Sequence, residues 1–311
     1  MSGPRIPRRP QPFLLGLALL SLGVALVACK DGGSGDGGSP TPAPPEPRVL
    51  TSDDGLLTLT IPPGAVEDDL EIAVTAIPEG ELPAALSELA GAGGGYRLQP
   101  DGLELASPAT VTLELDSDEL VGQPGSGTAA WALISLTSDG QRSALDSLQT
   151  RASLGDRSLF VSGRLSHFSQ LGRTRGSLAV TLEAVRPAPS AGETFAVSVT
   201  ALNAESTGQV LLNGMFGHFT AADSIAFSGV AEGAETAGGL PDNAFALPFD
   251  AMIPYGEGVR ATAEFTCEAG GPGSYGVEVF AGSVAAVRGQ RTVTGLTVIL
   301  DSGVACEGQQ T

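Results

Sequence analysis

The residues of this 311-residue chain that could carry chemistry are few: three cysteines, two histidines and several acidic turns. Cys267 and Cys306 stand about 40 residues apart. In an oxidising compartment, two such thiols favour a disulfide. There is no CxxC, and the only histidines are His167 and His218, so a zinc site is not expected. His167 precedes Ser169 by two residues, which sets a base near a hydroxyl. A Ser hydroxyl is a weak nucleophile without an adjacent base, and His can serve as one near neutral pH. A full triad also needs an acid behind the His, and no GxSxG elbow is present. General esterase or protease activity is therefore not expected. No GxxxxGK[ST] loop, HExxH helix or EF-hand loop occurs, so no cofactor is expected. Acidic clusters fall at Asp53-Asp54, Glu67-Asp68-Asp69 and Asp116-Ser117-Asp118-Glu119. Asp116, Asp118 and Glu119 follow a strand-like run and are the candidate oxygens for calcium, which takes six to eight of them. That would make the chain a calcium-binding, adhesin-like module; a solvated turn is the plainer reading.

Cys29 depends on what precedes it. The chain starts with Arg5, Arg8 and Arg9 and no acid, then runs apolar or small from Phe13 to Ala28. This basic-then-apolar pattern is that of an export signal. The run has 16 residues, whereas a spanning helix needs about 20. It ends in Leu26-Val27-Ala28-Cys29, which resembles the lipobox of bacterial lipoproteins. The resemblance implies removal of residues 1–28, a diacylglycerol on the Cys29 thiol and acylation of its new amine. Each buried methylene would contribute about 0.8 kcal/mol to anchoring. Lys30, rather than Asp, follows the Cys, which points to the outer membrane over the inner.

Residues 29–47 are Gly/Ser-rich and then Pro-rich, a composition that cannot bury a core. They are expected to be a disordered tether reaching roughly 20–25 Å. Without the signal's three arginines, 13 basic residues face 35 acidic ones, a balance of −22. Nucleic acid and anionic head groups should be repelled. The expected partners are the membrane, through the anchor, and a protein or surface polymer.

The remaining chain alternates apolar with polar or small residues in short runs, the period-2 pattern of half-buried strands. Such runs occupy residues 56–61, 70–77, 109–115, 130–136, 158–163, 177–185, 194–202, 259–267, 275–281 and 292–300. One short helix is expected over Pro83–Ala90. Trp131 and the phenylalanines of the later half, among them Phe216, Phe219, Phe227, Phe245 and Phe249, are expected in the core. The stretch from Gly229 to Tyr255, rich in Gly, Ala and Pro, is either a long recognition loop or an unresolved strand pair. Regular turn signals between such strands suggest β-sandwiches. A boundary falls near Gly172–Gly176, between blocks of about 125 and 135 residues. The fold expected is all-β, with two tandem β-sandwich domains over residues 48–172 and 173–311.

The first block carries a second resemblance. Leu59-Thr60-Ile61-Pro62-Pro63-Gly64-Ala65-Val66 and the stretch Tyr96–Leu113, with Pro100-Asp101-Gly102-Leu103 inside it, resemble the ZU-type β-sandwich of ankyrins and netrin receptors. Pro62 and Pro63 end a strand because they cannot donate ladder hydrogen bonds, and Asp101-Gly102 is a hairpin-type pair. The resemblance implies a protein-binding or structural module without a cofactor. The second block is immunoglobulin-like in pattern only. In some ZU-type domains a His-Phe-Ser tripeptide cuts itself between Phe and Ser. Here that implies His167 as base and Ser169 as nucleophile, attacking the Phe168 carbonyl. A plain strand would instead point Phe168 inward, with His167 and Ser169 on the opposite face. The expected function is that of a lipid-anchored, non-enzymatic recognition or structural module of the cell envelope, with self-processing and calcium binding as alternatives.

Overall fold

The structure is a computed structural model that describes residues 45–89, 91, 93–121, 126–185, 188–204, 209–232, 242–246, 251–254, 257–286 and 292–308. The expected signal 1–28, the lipidation candidate Cys29, most of the linker and Phe249 lie outside the described residues. Residues 45–47 are exposed and without regular structure.

The strands, in chain order, begin with β1 (Arg48–Thr51), β2 (Leu57–Ile61) and β3 (Ala73–Ile77). A one-turn helix, α1 (Ala84–Ser87), leads to β4 (Gly95–Gln99) and β5 (Glu104–Leu115). Then follow β6 (Leu120–Val121), β7 (Gly127–Leu136), β8 (Arg142–Ala144), β9 (Asp146–Ser153), β10 (Ser158–His167) and β11 (Gln170–Ala184). The later half contributes β12 (Thr194–Asn203), β13 (Gln209–Asp223), β14 (Ile225–Glu232), β15 (Ala244–Ala246) and β16 (Ala251–Pro254). It closes with β17 (Gly258–Cys267), β18 (Gly271–Ala286) and β19 (Thr292–Cys306). The all-β expectation holds. The described part of the stretch from Gly229 to Tyr255 comprises the end of β14, a turn at Asp242 and Asn243, and the short strands β15 and β16.

Two sheets form among the described residues. The first runs β1-β2-β5-β10-β9-β19-β18-β13-β15, with β16 beside β13. The second runs β14-β17-β12-β11-β4-β3, with β7 also paired to β11 and carrying β6 and β8. Alternation puts Leu57, Leu59 and Ile61 of β2 inward, and Thr58 and Thr60 outward. β7 departs from this rule, being buried at nearly every position. At the C-terminal end of β7 the reason is α1, whose Leu86 packs with Leu89 and Leu136 in a cluster separate from the main core.

One core of buried side chains runs from Leu57 through Trp131, Val199 and Phe265 to Cys306. Residues 45–311 form a single compact unit. The boundary expected between residues 172 and 173 falls inside β11, which pairs with β4 and β7 of the first block and with β12 of the second. The Gly172–Gly176 stretch reads as a linker because glycine usually marks one. Here glycine serves close approach. A Cβ on Gly172 would sit 3.1 Å from a Leu86 methyl, and one on Gly176 2.5 Å from the Ala130 carbonyl oxygen. The blocks are also joined by β9 and β19, which run parallel from Gln149↔Thr297 to Ser153↔Asp301.

Candidate functional site

The His167-Phe168-Ser169 tripeptide sits where the chain changes sheets. β10 ends at His167 in the first sheet, and β11 starts at Gln170 in the second. Phe168 and Ser169 therefore cross between the layers and are both fully buried, at 1% and 0% exposure. The expectation that Ser169 would share the outward face with His167 is thus overturned, because the strand alternation stops at the crossover. The backbone there is pinned on all sides. The Phe168 N–H donates to the Leu103 carbonyl at 2.8 Å, the Gly102 N–H donates to the Phe168 carbonyl at 3.0 Å, and the Leu98 N–H donates to the Ser169 carbonyl at 3.2 Å. Gly102 holds φ +73°, a conformation that suits glycine and few other residues. The Ser169 Oγ donates to the Gln170 carbonyl at 3.4 Å. His167 lies opposite Glu104 in the ladder, and among the described residues no hydrogen bond joins it to Ser169. The Gly102 amide polarises the Phe168 carbonyl, but the hydroxyl is turned to its own following peptide and the crossover is closed to water.

The acidic turn is likewise committed to the fold. The Asp116 carboxylate accepts from the Asp118 amide at 2.9 Å, capping a 3-10 turn. Glu119 reaches the Arg173 guanidinium at 3.4 Å, and that guanidinium lies 5.3 Å from the centre of the Trp131 ring. Among the described residues no group of three or more His, Cys, Asp or Glu side chains is placed to hold a metal ion. Asp116, Asp118 and Glu119 are adjacent in sequence, but a turn that spends one carboxylate on its own cap and another on Arg173 has little left for a cation.

Cys267 and Cys306 form a disulfide, with Cα atoms 5.9 Å apart. Cys267 ends β17 in the second sheet and Cys306 ends β19 in the first, so the bridge staples the two layers. In the first block, Tyr96 donates to the Asp54 carboxylate at 3.1 Å, and Asp54 also accepts from the Leu56 amide at 3.0 Å. Burial, then the Asp54 charge, push the Tyr96 phenol up. This network ties the β1–β2 turn to β4 and serves the fold.

Trp131, Phe219 and Phe245 are fully buried, as the composition suggested, whereas Phe216 is not: it is 46% exposed. Phe216 belongs to the outward-facing register of the first sheet. That register sets Phe216 opposite Phe280, Phe280 opposite Thr297, Thr297 opposite Gln149, and Gln149 opposite Ser162. The rings of Phe216 and Phe280 lie 5.0 Å apart, tilted by 42°. The row across β10, β9, β19, β18 and β13 contains no charged side chain. Beside it the His218 Nε2 lies 3.6 Å from the Glu278 carboxylate and Arg151 pairs with Asp301 at 3.4 Å, while Arg164, Asp146 and Glu114 are exposed on β10, β9 and β5. Sequence reading missed this row because β9 and β13 were not recognised as strands, and a row is visible only once the register is known. At the β13–β14 end, Phe219, Ile225, Phe227, Asp242 and Asn243 line an open cleft of about 620 Å³.

No protein-family model matches the chain. No curated protein matches it either. Among solved structures, it is similar to the ASH/PapD-like domain 7 of human CEP192, at 10% identity over 42% of this chain and 87% of that one, with a TM-score of 0.20. It is also similar to the Fcho1 Mu homology domain of Danio rerio with bound Eps15 peptide, at 8% identity over 76% of this chain and 94% of that one, with a TM-score of 0.23.

Proposed function

We infer that this chain is exported, held to a membrane of the cell envelope by lipid on Cys29, and acts there as a non-enzymatic recognition or structural module. The observation that carries the reading is the conjunction of two cysteine arrangements. Leu26-Val27-Ala28-Cys29 closes a basic-then-apolar leader, and the other two cysteines form a buried disulfide. Disulfides of this structural kind persist in oxidising compartments, so the bridge independently supports export. In sequence, a stretch of Gly, Ser and Pro separates Cys29 from the sandwich. The ZU-type resemblance of the first block supports a binding or scaffolding role.

The test is metabolic labelling with a radioactive fatty acid, followed by detergent phase partition. The wild-type protein is expected to take up label and enter the detergent phase. Cys29→Ser is expected to lose both properties while keeping its far-ultraviolet dichroism. An unlabelled wild-type protein in the aqueous phase would sink the reading.

The geometry at Phe168–Ser169 favours an uncut chain. The mature protein is expected to run as one band of full mass on a denaturing gel, and Ser169→Ala is expected to leave that band unchanged. Two bands that merge in Ser169→Ala would instead establish self-processing at this peptide.

A further inference from the structure

We propose that β19 is a folding gate: the chain cannot complete its first sheet, and so stays unfolded and fit for export, until its C-terminal strand is free. The gate follows from strand order and packing; its use in export rests on the reading above.

β9 lies between β10 and β19. Its parallel ladder with β19, from Gln149↔Thr297 to Ser153↔Asp301, joins positions about 150 residues apart in the chain. Closing so long a loop costs entropy before any contact forms, and a parallel pair is slightly less stable per residue than an antiparallel one. What offsets that cost is burial. Leu296, Val298 and Leu300 of β19 share one core cluster with Leu148 of β9 and Trp131 of β7. The register sets Val298 beside Thr150, which is fully buried. The Thr150 hydroxyl accepts from the Trp131 amide at 3.0 Å and donates to the Trp131 carbonyl at 3.4 Å. The last strand thus flanks the residue that fixes the middle of the first block. β19 comes to this place as half of a hairpin, since it pairs antiparallel with β18 from Gly271↔Cys306 to Ala285↔Thr292. A hairpin is a local structure that forms in microseconds, so the slow step is its docking against β9.

Time makes the gate matter. At about 5–20 residues per second, the roughly 150 residues between β9 and β19 take on the order of 10–30 s to be made. Sheets rich in non-local pairs fold in about milliseconds to seconds once all their strands are present. A self-sufficient first block would therefore fold long before the chain was finished, and a folded block obstructs threading through a membrane. Placing the final strand inside the first sheet removes that hazard.

The experiment is refolding of the full-length, detergent-solubilised protein from urea, with a reductant present so that Cys306 is not already tied to Cys267. Pulsed hydrogen exchange read by mass spectrometry follows each strand, and the fluorescence of Trp131, the single tryptophan of the chain, follows the first block. Amides of β2, β5, β9 and β10 are expected to gain protection in the same phase as those of β19, and Trp131 to become buried in that phase. Val298→Ala, far from Trp131 in sequence, should slow Trp131 burial about fivefold or more. Leu59→Ala, a fully buried position of the first block itself, should change that rate less than about twofold and act mainly by speeding unfolding. Protection of β2, β5 and β10 in a phase ahead of β19 would overturn the gate. So would the reverse ranking, with Trp131 burial slowed by Leu59→Ala and indifferent to Val298→Ala. Should either variant fail to fold, the order of protection in the wild-type chain decides alone. Fatty-acid labelling of Cys29 together with early protection of the first block would reject the gate and leave the anchored-module reading standing; joint protection without labelling would do the opposite.

Discussion

Ending the chain after Arg291 is expected to leave no folded block at all, rather than an intact first block beside a damaged second one. The deletion removes β19, which lies inside the first sheet between β9 and β18. Its inward side chains Leu296, Val298, Leu300 and Val304 are all buried. Fully burying an aliphatic side chain contributes about 1.5–3 kcal/mol, so losing four compares with the whole stability of a domain, about 5–15 kcal/mol. The deletion also bares two long strand edges at once, on β9 and on β18, and unpaired edges of that length invite aggregation. The measurement is thermal unfolding by circular dichroism, with limited proteolysis of the truncated chain. The full chain should melt in one transition, and the truncated one should be digested throughout. A protease-resistant fragment spanning residues 48–172 that melts by itself would show that the first block stands alone and would refute this account of the shared sheet.

The second large effect is expected at the inter-sheet staple. Cys267 and Cys306 are 39 residues apart in sequence, and a loop of that length corresponds to roughly 4 kcal/mol of unfolded-state constraint in the chain-entropy model. Replacing both cysteines by serine should therefore lower the melting temperature by about 10 °C for a chain of this size. Both residues are buried, at 0% and 4% exposure. A reductant added to the native protein should thus reach the bridge only through opening, and thiol titration should stay near zero until the protein is heated. An unchanged melting temperature in the double variant would mean that the sheet ladders alone hold the two layers together. A readily titrated thiol in the native protein would mean that the bridge is not formed or not buried.

The two effects share a cause that the strand pattern did not reveal. The alternation of β2, β12 and β17 was legible because each is half-buried in a regular ladder, with inward apolar and outward polar residues. The same rule missed β13, which holds Asn213, Gly214 and Gly217, and β9, where polar residues outnumber apolar ones. Both are strands because their neighbours complete them: β13 pairs with β18 along most of its length, and β9 is held between β10 and β19. The helix expected over Pro83–Ala90 shrinks to Ala84–Ser87, because its task is only to cover Leu136 with Leu86 and Leu89. The candidate site was legible in kind but not in posture. His167, Phe168 and Ser169 are adjacent residues of suitable types, yet whether the hydroxyl meets the imidazole depends on where the chain leaves the sheet, and it leaves at Phe168.

From the sequence by itself came what depends on residue type and local order. These are the all-β character, the pairing of the two later cysteines, the burial of Trp131, and the leader that ends at Cys29 as an expectation still to be tested by labelling. The tertiary structure decided what depends on residues far apart in the chain. It made one two-sheet body of the described residues from Pro45 onward, by sending β11 through the expected boundary and returning β19 to pair with β9. It buried Ser169 at a sheet crossover and left Phe216 outside beside Phe280. Period-2 alternation tells a strand which of its faces is apolar, but strand order and register decide which strands lie side by side, and therefore which face meets the core and which side chains form a surface.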